Sequence, residues 1–128
     1  MDKKQILIID DDPTVLHFLE RKLPEVFDCD VLSARDGRSG LQMADCHRPD
    51  LILLDVMMPD QSGGEVVAAL AGNEELKQIP VVFMTMLLDS AGHKRIELND
   101  QEYRAVAKPV YLPALISQLR KALNEVVN

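Results

Sequence analysis

Residues 51–54 are Leu-Ile-Leu-Leu, and Asp55 follows them directly. Four uninterrupted aliphatic residues leave no polar face, so a strand built from them must be covered on both sides. A strand covered in this way fits a parallel sheet with helices on both faces, the arrangement of the α/β class. It also puts Asp55 where a buried strand gives way to a loop, the edge at which open parallel sheets bind ligands. A second run, Ile6-Leu7-Ile8-Ile9, repeats the pattern and ends in Asp10-Asp11-Asp12-Pro13.

The segments between and after these runs alternate in period. Asp12 is placed to cap a helix whose first position is Pro13, with Val15, Leu16, Leu19 and Leu23 at helical spacing and Pro24 as its end. Residues 30–34 read as a weaker second strand, Asp36-Gly37 as a turn, and Gly40 to His47 as a second helix. After the strand at 51–55, Ser62 and Glu65 form a capping-box pattern ahead of Val66, Val67 and Leu70. Residues 79–84 give a fourth strand with Thr85 at its end, and Tyr103 to Ala107 a fifth that ends at Lys108-Pro109. Between them a helix is expected from about Asp89 to Leu98, though its apolar stripe is poor. The last helix is the clearest, with Leu112, Leu115, Ile116, Leu119, Leu123 and Val126 on one face.

Five βα units joined by right-handed crossovers predict a doubly wound, five-stranded parallel sheet of order 2-1-3-4-5. The chain of 128 residues is read as a single domain spanning 1–128. Its net charge of −7 argues against direct nucleic-acid binding and against an anionic membrane surface. No apolar run is long enough to span a bilayer, and no leader is visible before the first strand. Cys29 and Cys46 lack zinc or redox spacing and are read as two buried, reduced thiols, which fits a cytoplasmic protein. His17, His47 and His93 are isolated, with no ligand spacing.

The sheet order makes the first, third, fourth and fifth strands neighbours, so Asp10, Asp11, Asp55, Thr85 and Lys108 converge on one edge. Carboxylates about 5 Å apart repel by ~3 kcal/mol per pair at an effective dielectric of ~20. A hard divalent cation such as Mg²⁺, held by oxygen ligands, offsets that repulsion. With the Lys108 ammonium and the Thr85 hydroxyl, the edge could neutralise and position a phosphoryl group on Asp55.

In this order and spacing, Ile-Leu-Ile-Ile-Asp-Asp-Asp-Pro at 6–13, Leu-Leu-Asp-Val-Met-Met-Pro at 53–59 with Gly63, Met-Thr at 84–85 and Lys-Pro at 108–109 resemble the receiver domain of two-component response regulators. The resemblance covers nearly the whole chain and implies the flavodoxin-like fold. It implies that Asp55 accepts a phosphoryl group from a sensor histidine kinase or a phosphotransfer protein. It implies that Asp10, Asp11, Asp55 and the Met57 backbone carbonyl hold Mg²⁺, that Thr85 and Lys108 contact the phosphoryl group, and that the Lys108–Pro109 bond is often cis. It further implies a downstream partner, either a separate protein or a fused output domain; none is visible after the last helix. Such a domain assists its own phosphorylation and dephosphorylation without acting on a separate substrate.

The chain departs from the family pattern after Thr85. A small residue is usual there, and Met86 is expected to narrow access to Asp55. The aromatic usually found three residues before the lysine is Ala105, with Tyr103 on the same side of the strand two residues earlier. Asn99-Asp100-Gln101 replaces the usual Gly-Ala before the fifth strand. Two rival readings follow: a degenerate receiver that binds partners unphosphorylated, and a Mg²⁺-dependent phosphohydrolase. The second lacks the acid usual two residues after the nucleophile, since Val56 and Met57 follow Asp55.

Overall fold

A computed structural model describes residues 3–58, 60–86 and 95–126, with side chains as far as Asn124. The element order is β1 (Lys4–Ile9), α1 (Pro13–Val26), β2 (Cys29–Ala34), α2 (Gly37–His47), β3 (Leu51–Asp55), α3 (Gly63–Ala71), β4 (Val81–Thr85), β5 (Arg95–Leu98), β6 (Gln101–Ala107) and α4 (Leu112–Val126). The two aliphatic runs lie side by side in parallel, Ile6 opposite Leu51 and Ile9 opposite Leu54. All eight of their side chains are fully buried. Period-2 alternation divides them between two cores. Ile6, Ile8, Leu51 and Leu53 pack with α1 and α4 through Leu16, Leu19, Leu115 and Leu119. Leu7, Ile9, Ile52 and Leu54 pack with α2 and α3 through Ala44, Val66, Val67 and Leu70. Each such side chain contributes ~1.5–3 kcal/mol of transfer free energy.

The sheet order is β2-β1-β3-β4-β6-β5. The doubly wound order is as expected, with one correction: the sheet has six strands, and the sixth is antiparallel. Residues 95–98, assigned from sequence to the end of a helix, form β5 instead. The rest of that expected helix, 89–94, lies outside the described residues. The reason for the strand is local. Asn99 and Asp100 have φ of 53° and 64°, the paired left-handed conformation of a two-residue hairpin turn. Arg95-Ile96-Glu97-Leu98 before it alternates in exposure, as a half-buried strand does.

Smaller boundary differences have equally local causes. Pro24 lies inside α1 and does not end it, because the Phe27 amide still donates to the Leu23 carbonyl at 2.9 Å. The Asp36 side chain accepts from the Ser39 amide at 2.7 Å, so α2 starts at Gly37, earlier than its apolar pattern suggests. The Ser62–Glu65 capping box is present as expected. Cys29 is buried, and burial pushes its thiol pKa up to about 11. Cys46 is exposed on α2, which corrects its assignment to the core. Among the described residues no helix is long and apolar enough to cross a membrane.

Candidate functional site

The site is assembled by strand register. Asp10 follows β1, its amide donating to the Ala34 carbonyl at 3.1 Å, and Asp55 ends β3. Ile9 is opposite Leu54, so the two aspartates occupy the next position on adjacent strands. Asp55 is opposite Met84 on β4, which brings Thr85 to the same edge. Thr85 in turn is opposite Ala107, and its carbonyl accepts from the Lys108 amide at 3.0 Å. Four separated segments thus place their polar residues on one edge. The Lys108–Pro109 peptide bond is cis.

These groups are withdrawn from water: Asp10 is 0% exposed, Asp55 6% and Thr85 2%. Lys108 Nζ stands 2.8 Å from Asp10 Oδ2 and 3.5 Å from Asp55 Oδ2, bridging both carboxylates. Burial raises the Asp55 pKa to about 6; the Asp10 charge adds to the rise, and Lys108 and the Met57 amide oppose it. That amide donates to Asp55 Oδ1 at 3.4 Å. Burial alone would lower the Lys108 pKa, but its close pairing with Asp10 and the charges of the two carboxylates outweigh this and raise it.

Asp10, Asp11 and Asp55 each offer a carboxylate oxygen within 4.8 Å of the others. Asp11 is the most exposed of the three. Asp10 Oδ2 is buried and has no well-angled hydrogen bond, only the ion pair with Lys108. Buried hard oxygen donors that are short of hydrogen bonds suit a hard divalent cation. Asp12 is set apart: its carboxylate caps α1 by accepting from the Thr14 amide at 2.9 Å. His17 and His47 are exposed and away from the cluster, and His93 lies outside the described residues. Met86 is 80% exposed, so its side chain points into solvent and does not pack over Asp55.

Sequence reasoning missed the contacts that join this edge to the β5–β6 hairpin. Asn99 Nδ2 donates to the Gly64 carbonyl at 3.0 Å, tying the hairpin turn to the start of α3. The Tyr103 ring meets Phe83 edge-on at 5.2 Å and 80°, on the face that Ala105 shares. The turn was legible in principle, since Asn and Asp tolerate the left-handed conformation that both positions of a two-residue hairpin turn require. The contact with Gly64 was not.

Residues 6–120 match the family described as the response regulator receiver domain. A relative named polar-differentiation response regulator DivK, from Brucella anthropi, is 32% identical over 95% of this chain and 98% of its own. Among solved structures, the signal receiver domain of a signal transduction histidine kinase from Syntrophus aciditrophicus superposes with a TM-score of 0.77 at 30% identity, covering 96% of this chain and 92% of its own. A sensor protein from Polaromonas reaches a TM-score of 0.85 over 98% of this chain and 99% of its own; at 21% identity it speaks for the fold alone. Nothing among these matches supports a phosphohydrolase. The chain belongs to the response regulator receiver domain family, the phosphorylation-controlled switches of two-component signalling.

Proposed function

We propose that Asp55 is the phosphoacceptor of this switch and that residues 1–128 act as one receiver domain. The reading rests on one observation: Asp10, Asp11 and Asp55 converge while Lys108 bridges the two buried carboxylates. In the proposed reaction an Asp55 carboxylate oxygen attacks the phosphorus of a phosphohistidine on a sensor kinase or phosphotransfer protein. The P–O bond forms as the P–N bond breaks, and the electron pair goes to the imidazole nitrogen. Lys108 holds charge against the phosphoryl oxygens, and the Thr85 hydroxyl donates to one of them. Asp10, Asp11, Asp55 and the Met57 carbonyl would hold Mg²⁺, which when bound offsets the negative charge gathered in transfer.

Engagement of Thr85 and Lys108 would shift the β4 and β6 ends between two arrangements and alter affinity for a downstream protein or output domain. The working location is the cytoplasm, with no direct contact with nucleic acid or membrane. The test is incubation with Mg²⁺ and a small phosphodonor, followed by intact mass measurement. A gain of one phosphoryl group, absent in Asp55→Asn and absent with excess chelator, is expected. No gain from either the small donor or a cognate kinase would leave the unphosphorylated interaction module as the better reading.

A further inference from the structure

The hairpin that replaces the expected helix has a peculiar charge pattern. Across β5 and β6, Arg95 is directly opposite Arg104 and Glu97 directly opposite Glu102. Like charges facing across a strand pair are destabilising. Among the described residues no carboxylate bridges Arg95 and no cation bridges Glu97. Both side chains are exposed, while Ile96 and Leu98 turn inward to the second core. Among the described residues β5 is the last strand of the sheet, with nothing paired to its outer side.

Hydrogen-bond phase then selects a register. In a two-residue turn the flanking pair, here Leu98 and Gln101, is hydrogen-bonded, and the pattern alternates from there. The N–H and C=O groups of Leu98 and Ile96 therefore point to β6, and those of Arg95 and Glu97 point outward. A strand added antiparallel outside β5 must bond to Arg95 and Glu97. If that strand is a second β5 related by a two-fold axis through Ile96, Arg95 of each copy falls opposite Glu97 of the other. Backbone phase and charge order pick the same pairing, and Ile96 meets its symmetry mate in the closer, non-hydrogen-bonded position. The other sheet edge, β2, has the sequence Cys-Asp-Val-Leu-Ser-Ala, with one charge and no such self-complement.

We propose that β5 is a self-association edge, at which two copies of this chain join antiparallel through reciprocal Arg95–Glu97 pairs. Each copy presents one such edge, so the contact is isologous and closes at the dimer. About four backbone hydrogen bonds would form. The strands are short and each chain carries a net charge of −7. The association is therefore expected to be weak, with a dissociation constant of about 10–100 µM, and to respond to salt.

Sedimentation of the full chain over ~5–500 µM tests this. Wild type should dimerise. Arg95→Glu and Glu97→Arg should each weaken dimerisation at least ~tenfold, because each aligns like charges across the axis. Each also replaces a like-charge pair within the hairpin by an opposite one, so neither should lower the thermal midpoint. An equimolar mixture of the two single variants should form a heterodimer, and the double swap R95E/E97R should dimerise like wild type. A monomeric wild type across the range would overturn the proposal. So would single variants that dimerise undiminished, or a thermally intact double swap that stays monomeric.

Discussion

The edge carrying Asp10, Asp55 and Lys108 and the β5–β6 hairpin belong to one sheet, and both gather like charges. They handle those charges in opposite ways. At the first edge two carboxylates are buried against each other, where repulsion is strong, and Lys108 is set between them at 2.8 and 3.5 Å. At the hairpin Arg95 faces Arg104 and Glu97 faces Glu102 with the β5 members exposed, where solvent screens the repulsion. Buried like charges need a fixed counter-charge inside the fold. Exposed ones can wait for a partner. The comparison can be broken or sharpened by removing each element in turn.

The largest effect should come from Lys108→Met. It strips buried Asp10 of its ion-pair partner and leaves two carboxylates facing each other. Breaking a buried pair in this way costs about 3 kcal/mol. Urea denaturation in chelator should show that loss, and added Mg²⁺ should recover much of it. On the hairpin, Glu102→Gln removes one half of an exposed like-charge pair and should move stability by no more than about 0.5 kcal/mol. Equal effects from the two substitutions would erase the contrast.

Asp55→Asn comes next, and its sign is the informative part. The Asp55 pKa is about 6 in the fold against an ordinary 3.8, so the folded state holds the proton more tightly than the unfolded chain does. The stabilising contribution is complete below about pH 4 and is lost as pH rises through about 6. At pH 7.5 without metal, ionised Asp55 therefore works against the fold. Asp55→Asn should be more stable than wild type there by about 2 kcal/mol. The gap should shrink as pH falls to about 4.5, where wild-type Asp55 takes up its proton. It should also close at pH 7.5 when Mg²⁺ is added. A variant less stable than wild type at pH 7.5 in chelator would show that the carboxylate charge is not strained.

The sequence revealed the first region far better than the second, for a physical reason. Ile6–Ile9 and Leu51–Leu54 can be satisfied only between two helical layers, so their strand ends, and with them Asp10 and Asp55, were placed by burial alone. Lys108 and Thr85 followed from the sheet order. Residues 95–98 had no such constraint. Arg-Ile-Glu-Leu suits a helix by propensity and an edge strand by alternation, and the deciding signal was the left-handed pair Asn99-Asp100 beyond it. Cys46 was misplaced on similar grounds, since α2 has few apolar residues to show which of its sides faces the sheet.

The two regions meet at neighbouring glycines, which give the finest comparison. A Cβ on Gly63 would lie 2.8 Å from Phe83 Cε1, 3.0 Å from Val56 Cα and 3.1 Å from the Asp55 carbonyl oxygen. Phe83 is fully buried and the other two atoms are backbone, so none can easily give way. Gly63→Ala should cost ~1–3 kcal/mol in denaturation. It should also slow phosphoryl incorporation, because the added Cβ presses on the backbone of Asp55 and Val56. Gly64, one residue on, faces the hairpin. Its nearest neighbours would be Ser62 Oγ at 3.7 Å and the Asn99 amide at 3.9 Å, both ordinary contacts. Gly64→Ala therefore adds only the helical preference of alanine over glycine, about 0.5–1 kcal/mol in favour of the fold. Opposite signs at adjacent positions would show that the edge carrying Asp55 is packed to its limit while the hairpin beside it has room to move. A stabilising Gly63→Ala would mean that Phe83 can swing aside, and the ring would then be the mobile part of the switch.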